Sequence, residues 1–376
     1  MKVTPTISVV MSVYNGGPYL RQSIESILNQ TWRDFEFIIV DDGSTDDTAR
    51  IIGSFQDERI ILLSQTNQGL QRSLNRGIKR ARGRYVARHD SDDMALPRRL
   101  SIQLAFLKRH PQVSLLGTNL LIINSDGEII GRDLGRATDD LELKWRLLFS
   151  NPFAHPSVMI RREAFDDVGL YSESRDYRYI EDYELWSRIG KRYQIANLRE
   201  PLVQYRNHLL NISNEDRNRQ FDGACLISSH NVRSLASSPG FSDEEIAWLI
   251  TFHSIPMRLT YDQIIATLHN VEELFYAFSL THSVGPVVRK RLWFRIRTRL
   301  ATFLLEAAVG HCYAGNDDLA KQLALRAVLL NPPTLFCSPR YWALALKLCL
   351  GRSASNKLRR VKYYLLPGSV WRAALK

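Results

Sequence analysis

The chain has 376 residues, 45% apolar and 24% charged, with 20 Gly and 14 Pro, a profile that excludes collagen-like, low-complexity and disordered classes and predicts a packed globular protein. Its net charge of +11 is uneven: residues 285–376 carry 17 Lys or Arg against three acids, a surplus of +14, while residues 1–284 sum to −3, so any attraction for phosphates belongs to the C-terminal segment. Cys225, Cys312, Cys337 and Cys349 show no metal-ligand or disulfide-framework spacing, no run of 18 uncharged apolar residues occurs, and Met1–Pro5 carries no apolar leader; together these predict a cytoplasmic chain without a membrane-spanning helix.

From Ile7 onward, short β-rich runs alternate with helical patterns: ISVVMSVY (7–14), a helix near 17–30, FEFIIVDD (35–42), a helix near 45–55, and IILLSQ (60–65). That rhythm predicts a largely parallel sheet. In the first helix Leu20, Ile24, Ile27 and Leu28 share one face, with Arg21, Gln22 and Glu25 off it, so it should cover the sheet. A helix over 70–81 leads through Gly83 into YVARH (85–89), a central strand that ends in carboxylates, the place where open α/β sheets bind ligands. The alternation persists to about Arg206. Beyond residue 220 it gives way to helical periodicity in DEEIAWLITFH (243–253), YDQIIATLHNVEELFYAF (261–278) and LAKQLALRAVLL (319–330), which predicts a helical domain. Residues 304–333 look like one tetratricopeptide-type helix pair, a single unit with no array.

Three strand ends carry the chemistry. Asp90-Ser91-Asp92-Asp93 follows the strand 85–89, and an Asp-X-Asp there can aim two carboxylates at one hard cation such as Mg²⁺ or Mn²⁺, whose shell is completed by substrate phosphates. A helix cap before Leu96-Pro97 is the plainer alternative. Asp41-Asp42-Gly43-Ser44-Thr45-Asp46 ends the second strand. Side chains alternate along a strand, so one Asp points into the cleft, and Asp42 is expected to accept hydrogen bonds from a ribose or base while Ser44 or Thr45 caps the next helix. Capping alone is the simpler account of this segment. Tyr14-Asn15-Gly16-Gly17 offers a flexible turn and a ring beside the same cleft, and matches neither the Gly-X-Gly-X-X-Gly nor the Walker pattern.

Taken together, residues 7–48 and 67–100 resemble glycosyltransferase family 2, and the likeness continues to about residue 213. It implies an α/β, GT-A-type, mostly parallel sheet sandwiched by helices over residues 1–217; the helical periodicity beyond it assigns residues 218–376 to a basic, mainly α-helical domain that the resemblance does not cover. It further implies a metal-dependent, inverting transfer of one sugar per encounter from a nucleotide-sugar, with a lean toward uridine. Ser12, Val13, Tyr14, Asp42, Asn67 and Asp90 would then meet the donor. Asp92, Asp90 and His208, the last in the closing Tyr-Arg-X-His element, would hold Mn²⁺ or Mg²⁺, and Asp93 would stand outside the ligand set. In YIEDYELW (179–186) Asp182 matches the catalytic base, with Glu181 and His155 on the acceptor side; a helix N-terminal acid is the alternative for Asp182, and a surface position for His208.

Relatives without membrane spans imply a saccharide or lipid-linked acceptor of a bacterial surface polymer. RKRLWFRIRTRLATFLL (289–305) has the composition of a helix lying on an anionic membrane, or of a solvated helix packed on its own domain. The rival reading is a non-catalytic nucleotide-sugar-binding or partner-recruiting protein on the same scaffold. Nucleic acid is not an expected partner, since no recognition module is present.

Overall fold

A computed structural model describes residues 4–134, 137–208, 217–235, 240–254 and 258–338, together with positions 341, 344 and 348. Two compact units divide at Asn231/Val232. The first contains, in chain order, β1 (Ile7–Val13), α1 (Gly17–Leu28), β2 (Phe35–Asp41), α2 (Thr48–Gly53), β3 (Ile60–Ser64), α3 (Leu70–Arg80), β4 (Tyr85–Arg88), β5 (Met94–Ala95), α4 (Arg99–Arg109), β6 (Val113–Ile123), β7 (Ile129–Asp133), α5 (Asp140–Arg146), β8 (Met159–Arg161), α6 (Arg162–Val168), α7 (Glu181–Arg192), β9 (Gln194–Arg206) and α8 (Arg217–Arg233).

Among the described residues these strands form one sheet in the order β3-β2-β1-β4-β8-β6-β9-β5, with β7 on β6. The predicted parallel part is β3-β2-β1-β4. Strand β8 then pairs antiparallel with both β4 and β6, and β5 antiparallel with β9, so the remainder is mixed. Both faces are covered. One carries Val10, Ile38, Val40 and Val86 against α3 and α7. The other carries Val9, Met11, Phe37, Ile39 and Ala87 against α1 and α4. A sheet buried on both faces explains why β1 and β2 read as near-continuous apolar runs.

Helix α8 packs on the first unit. Asn231 donates to the Leu147 carbonyl (2.7 Å) and to Ser187 Oγ (2.9 Å). Gly223 faces Ile180 so closely that a Cβ would lie 2.3 Å from the Ile180 Cδ1.

The second unit contains α9 (Asp243–Ser254), α10 (Tyr261–Thr281), α11 (Pro286–Tyr313) and α12 (Asp317–Leu330). A capping box of Thr260 and Gln263 starts α10, each side chain bonding the other's backbone N–H, which satisfies two donors the helix leaves open. The tetratricopeptide-like expectation corresponds to α11 and α12, joined through Gly315 at φ +91°. No helix among the described residues is long and apolar enough to cross a membrane.

Candidate active site

Strands β1, β2 and β4 run parallel and adjacent, so their carboxyl ends deliver residues 14–17, 41–48 and 89–93 to one sheet edge. The 14–17 turn is held from both sides. Asn15, at φ +52°, donates its N–H to Ser44 Oγ (3.0 Å) and accepts from the Thr45 N–H at its Oδ1 (2.9 Å). The Gly16 N–H donates to Thr48 Oγ1 and the Gly17 N–H to Asp46 Oδ2, each at 3.0 Å. Ser44 and Thr45, expected at a helix cap, therefore brace this turn, and α2 begins after Asp47 without a side-chain cap. Of the residues assigned to the donor, Tyr14 is 53% exposed at the strand end and Ser12 is half-buried, whereas the Val13 side chain packs in the core under α1.

Asp42 is buried at 2% exposure, and its carboxylate accepts from Gln65 Nε2 (2.6 Å), the Gln68 N–H (2.8 Å) and the Gly69 N–H (2.8 Å). What this carboxylate touches is the 65–69 loop, and it leaves Asn67 exposed at the tip. Gly43 makes the arrangement possible: at φ +80°, an added Cβ would lie 2.8 Å from the Asn67 backbone N. A left-handed backbone and a backbone neighbour both oppose a side chain there. Gly43→Ala is expected to lower stability by about 1–3 kcal/mol, read as an earlier urea midpoint; an unchanged midpoint would refute this packing.

The acidic cluster follows β4. Carboxylate oxygens of Asp90, Asp92 and Asp93 lie within 4.8 Å of one another. Each has a different attachment: Asp90 forms an ion pair with Arg88, Asp92 Oδ2 lies 2.9 Å from His208 Nε2, and Asp93 Oδ1 accepts from the Arg206 N–H (2.8 Å). Asp93, expected outside the ligand set, is thus gathered with the other two. Its Oδ2 is buried without a hydrogen-bond partner, the kind of acceptor for which a bound cation accounts. Burial and the charges of Asp92 and Asp90 push the Asp93 carboxyl well above the usual range, and burial, opposed by Arg88, raises that of Asp90. Hard oxygen donors crowded in this way fit a divalent cation.

The second acidic pair opens α7. Glu181 and Asp182 occupy its first turn, where the helix dipole favours anions. The chain enters through Tyr179 at φ +73°, an unfavourable backbone for an aromatic residue and one of the strained positions that gather at functional sites. Asp182 accepts from Asn151 Nδ2 and from the Tyr183 N–H, both at 2.7 Å. Burial pushes Asp182 up to about 6. Burial together with the charge of Asp182 takes Glu181 to about 7. His155 bonds Tyr171 Oη (2.8 Å) and meets the Trp186 ring edge-on at 5.9 Å. Burial and Arg88 hold its imidazole well below the ordinary value, hence neutral.

Arg88 joins the two clusters. It is 4% exposed, its Nε has no hydrogen-bond partner, and its positive charge acts on Asp90, Glu181, Asp182, Tyr171 and His155. Four carboxylates, Asp90 and Asp93 after β4 and Glu181 and Asp182 of α7, therefore feel the charge of one buried guanidinium.

Residues 8–169 match the family model described as glycosyl transferase family 2. The putative glycosyltransferase EpsE of Bacillus subtilis (strain 168) is 33% identical over 232 residues, which cover 60% of this chain and 82% of that protein. The chain belongs to glycosyl transferase family 2. The O-antigen biosynthesis glycosyltransferase WbnJ of Escherichia coli, another relative of this family 2 chain, is 32% identical over 55% of this chain and 82% of its own length. In fold the chain resembles S. aureus TarS 1-349, solved in complex with UDP-GlcNAc, with a TM-score of 0.52 and 16% identity over 85% of this chain and 90% of that one. At that identity the likeness speaks to architecture, a GT-A-like curled sheet flanked by helices with a helical C-terminal region.

Two residues of this family 2 site carried no assigned role in the sequence reading. Arg88 is one. Arg206, within the Tyr-Arg-X-His element, is the other: fully buried, it donates Nε to the Asp92 carbonyl (2.8 Å), Nη1 to the carbonyls of Asn124 (3.1 Å) and Ser125 (2.9 Å), and Nη2 to Gln22 Oε1 (2.8 Å). Its guanidinium also lies over the Tyr19 ring at 4.5 Å. A charged residue inside a strand, or next to an acidic motif, was the available signal for both.

Proposed function

We propose that the chain transfers a sugar from a nucleotide-sugar, of which a uridine diphosphate sugar is the first candidate, to an acceptor hydroxyl with inversion at the anomeric carbon. The acceptor we infer is a saccharide, lipid-linked at the cytoplasmic face of a membrane and destined for a bacterial surface polysaccharide or glycolipid. The observation that carries the reading is the clustering of Asp90, Asp92 and Asp93, with Arg88 paired to Asp90 and its charge acting on Glu181 and Asp182.

In this reading Tyr14 and the 65–69 loop, held by Asp42, form the nucleoside end of the donor site, with Ser12 at the end of β1 beside them. Asp92, Asp93 and His208 would hold Mn²⁺ or Mg²⁺, with Asp90 oriented beside them by Arg88. When bound, the cation offsets charge on the leaving diphosphate. Asp182 takes the proton from the acceptor hydroxyl as that oxygen attacks the anomeric carbon from the face opposite the diphosphate; the bond to the leaving phosphate oxygen breaks as the new glycosidic bond forms. Asn151 and the Tyr183 N–H orient the Asp182 carboxylate for that role. His155, Tyr171 and Glu181 border the acceptor side.

A screen of nucleotide-sugars for thermal stabilisation tests the proposal, because a ligand that binds only the folded state raises Tm. One nucleotide-sugar is expected to raise Tm in the presence of Mn²⁺ or Mg²⁺ and to lose most of that effect in EDTA. No stabilisation by any nucleotide-sugar, with or without metal, would sink the reading.

A further inference from the structure

We propose that the outward face of α11 is a docking surface for an anionic phospholipid bilayer. Residues 286–305 of this helix hold six cations and no acid. Over its first four turns the inward stripe is already committed: Leu292, Ile296 and Leu300 are buried, and Trp293 stacks on Phe275 at 4.7 Å. The opposite stripe is a different surface. Val287 is 83% exposed and Phe294 59% exposed, and seven residues separate them, two turns or about 10 Å along one face. Lys290 and Arg291 lie between them on that face and are exposed. One short turn earlier in the chain, α10 leaves Tyr276 61% and Leu280 46% exposed.

The mixture selects the partner. A soluble polyanion would account for the cations but gives no reason for a valine and a phenylalanine standing in water. An apolar protein surface would account for those two, but it would strip water from Lys290 and Arg291 with no compensating charge. A bilayer surface accommodates both kinds of side chain. Val287 and Phe294 enter the boundary between headgroups and acyl chains, while the long cationic stems lie along it and keep their charges at the phosphates. Two apolar anchors are few, so the attachment is reversible, depends on anionic lipid and weakens with salt.

The membrane setting is taken from the function proposed above, but the test is independent of it, since vesicle binding requires neither donor nor turnover. The full chain is floated with phosphatidylcholine vesicles and with vesicles of phosphatidylcholine and phosphatidylserine, at low and high salt. It should float with the anionic vesicles at low salt and not with phosphatidylcholine alone. Each cation near such a surface contributes about fivefold, so the double variant Lys290→Glu, Arg291→Glu should lower partitioning at least about twenty-fivefold. Phe294→Ser, a single exposed change, should lower it about tenfold and leave the salt dependence intact. The proposal is overturned by absence of flotation at low salt, by a Lys290→Glu, Arg291→Glu variant that floats like the parent, or by indifference to Phe294→Ser. That last result would reduce the face to a general polyanion site.

Discussion

Asp182→Asn is expected to lower kcat by about two orders of magnitude or more while leaving the affinity for the nucleotide-sugar close to that of the parent. The separation follows from position. Asp182 stands on α7 with Asn151 and the Tyr183 N–H as its partners, whereas the groups assigned to the donor and its cation belong to β1, β2, β4 and β9. An amide at residue 182 keeps the shape of the carboxylate and one oxygen, which can still accept from the Tyr183 N–H, so the side chain stays in place while the basicity and the bond from Asn151 are lost. Isothermal titration of the donor beside single-turnover kinetics would check this. A variant with near-normal turnover, or one that loses donor binding and turnover together, removes Asp182 as the base.

The same carboxyl gives the expectation its pH dependence. Burial holds Asp182 up to about 6, and a base works only when ionised, so turnover should rise with pH through about 6 and fall roughly tenfold per unit below it. Stability runs the other way. A carboxyl whose folded value lies above its unfolded one contributes stability that is fully present below the unfolded value near 3.8 and is lost as pH rises through about 6. Asp182→Asn removes that burden, so the variant should match the parent near pH 4 and exceed it by about 1–3 kcal/mol at pH 7. A less active but more stable protein at neutral pH distinguishes a functional carboxylate from one retained for structure.

How far the sequence led depends on which contacts made each element. The parallel half of the sheet was legible because β1, β2 and β4 are apolar runs that end in turn residues and acids, and each is joined to the next by a helix with its own periodicity. The mixed half was not. β5 is only Met94–Ala95, too short for a pattern, and its place is set by pairing with Gln204 and Val203. β9 runs 13 residues through Pro201, where its pairing with β6 shifts register. The site follows the same division. Asp90, Asp92 and Asp182 were readable as motifs. The attachment of Asp93 to Arg206 and the reach of Arg88 to α7 depend on residues about a hundred positions away, and no local signal reports that. Asp42 shows the converse, a carboxylate expected to meet a ribose or base whose contacts in this structure are with the 65–69 loop.

Arg206→Met is expected to cost about 3–5 kcal/mol and to weaken the requirement for a divalent cation into a poorly saturable one. Methionine fills much of the space but supplies no donor. The carbonyls of Asp92, Asn124 and Ser125 and the Gln22 side chain each lose a charged partner; Ser125 and Gln22 are exposed and turn to water, whereas the half-buried Asp92 and Asn124 carbonyls cost about 1–3 kcal/mol apiece when left unpaired. Removing a buried cation that is hydrogen-bonded on every side is among the few single changes that reach this size. The consequence for the site is geometric. The Arg206 guanidinium links the Asp92 carbonyl to the β6–β7 turn and to α1; without it the Asp92 backbone loses its tether, while the main-chain N–H of residue 206 still donates to Asp93. Arg206→Lys keeps a positive charge but not the planar fork, so it should recover part of the charge balance around the acids and little of the anchorage. Urea unfolding combined with Mn²⁺ titration of activity separates these effects: a parent-like midpoint and metal dependence in Arg206→Met would show that the cluster is held by something other than this guanidinium.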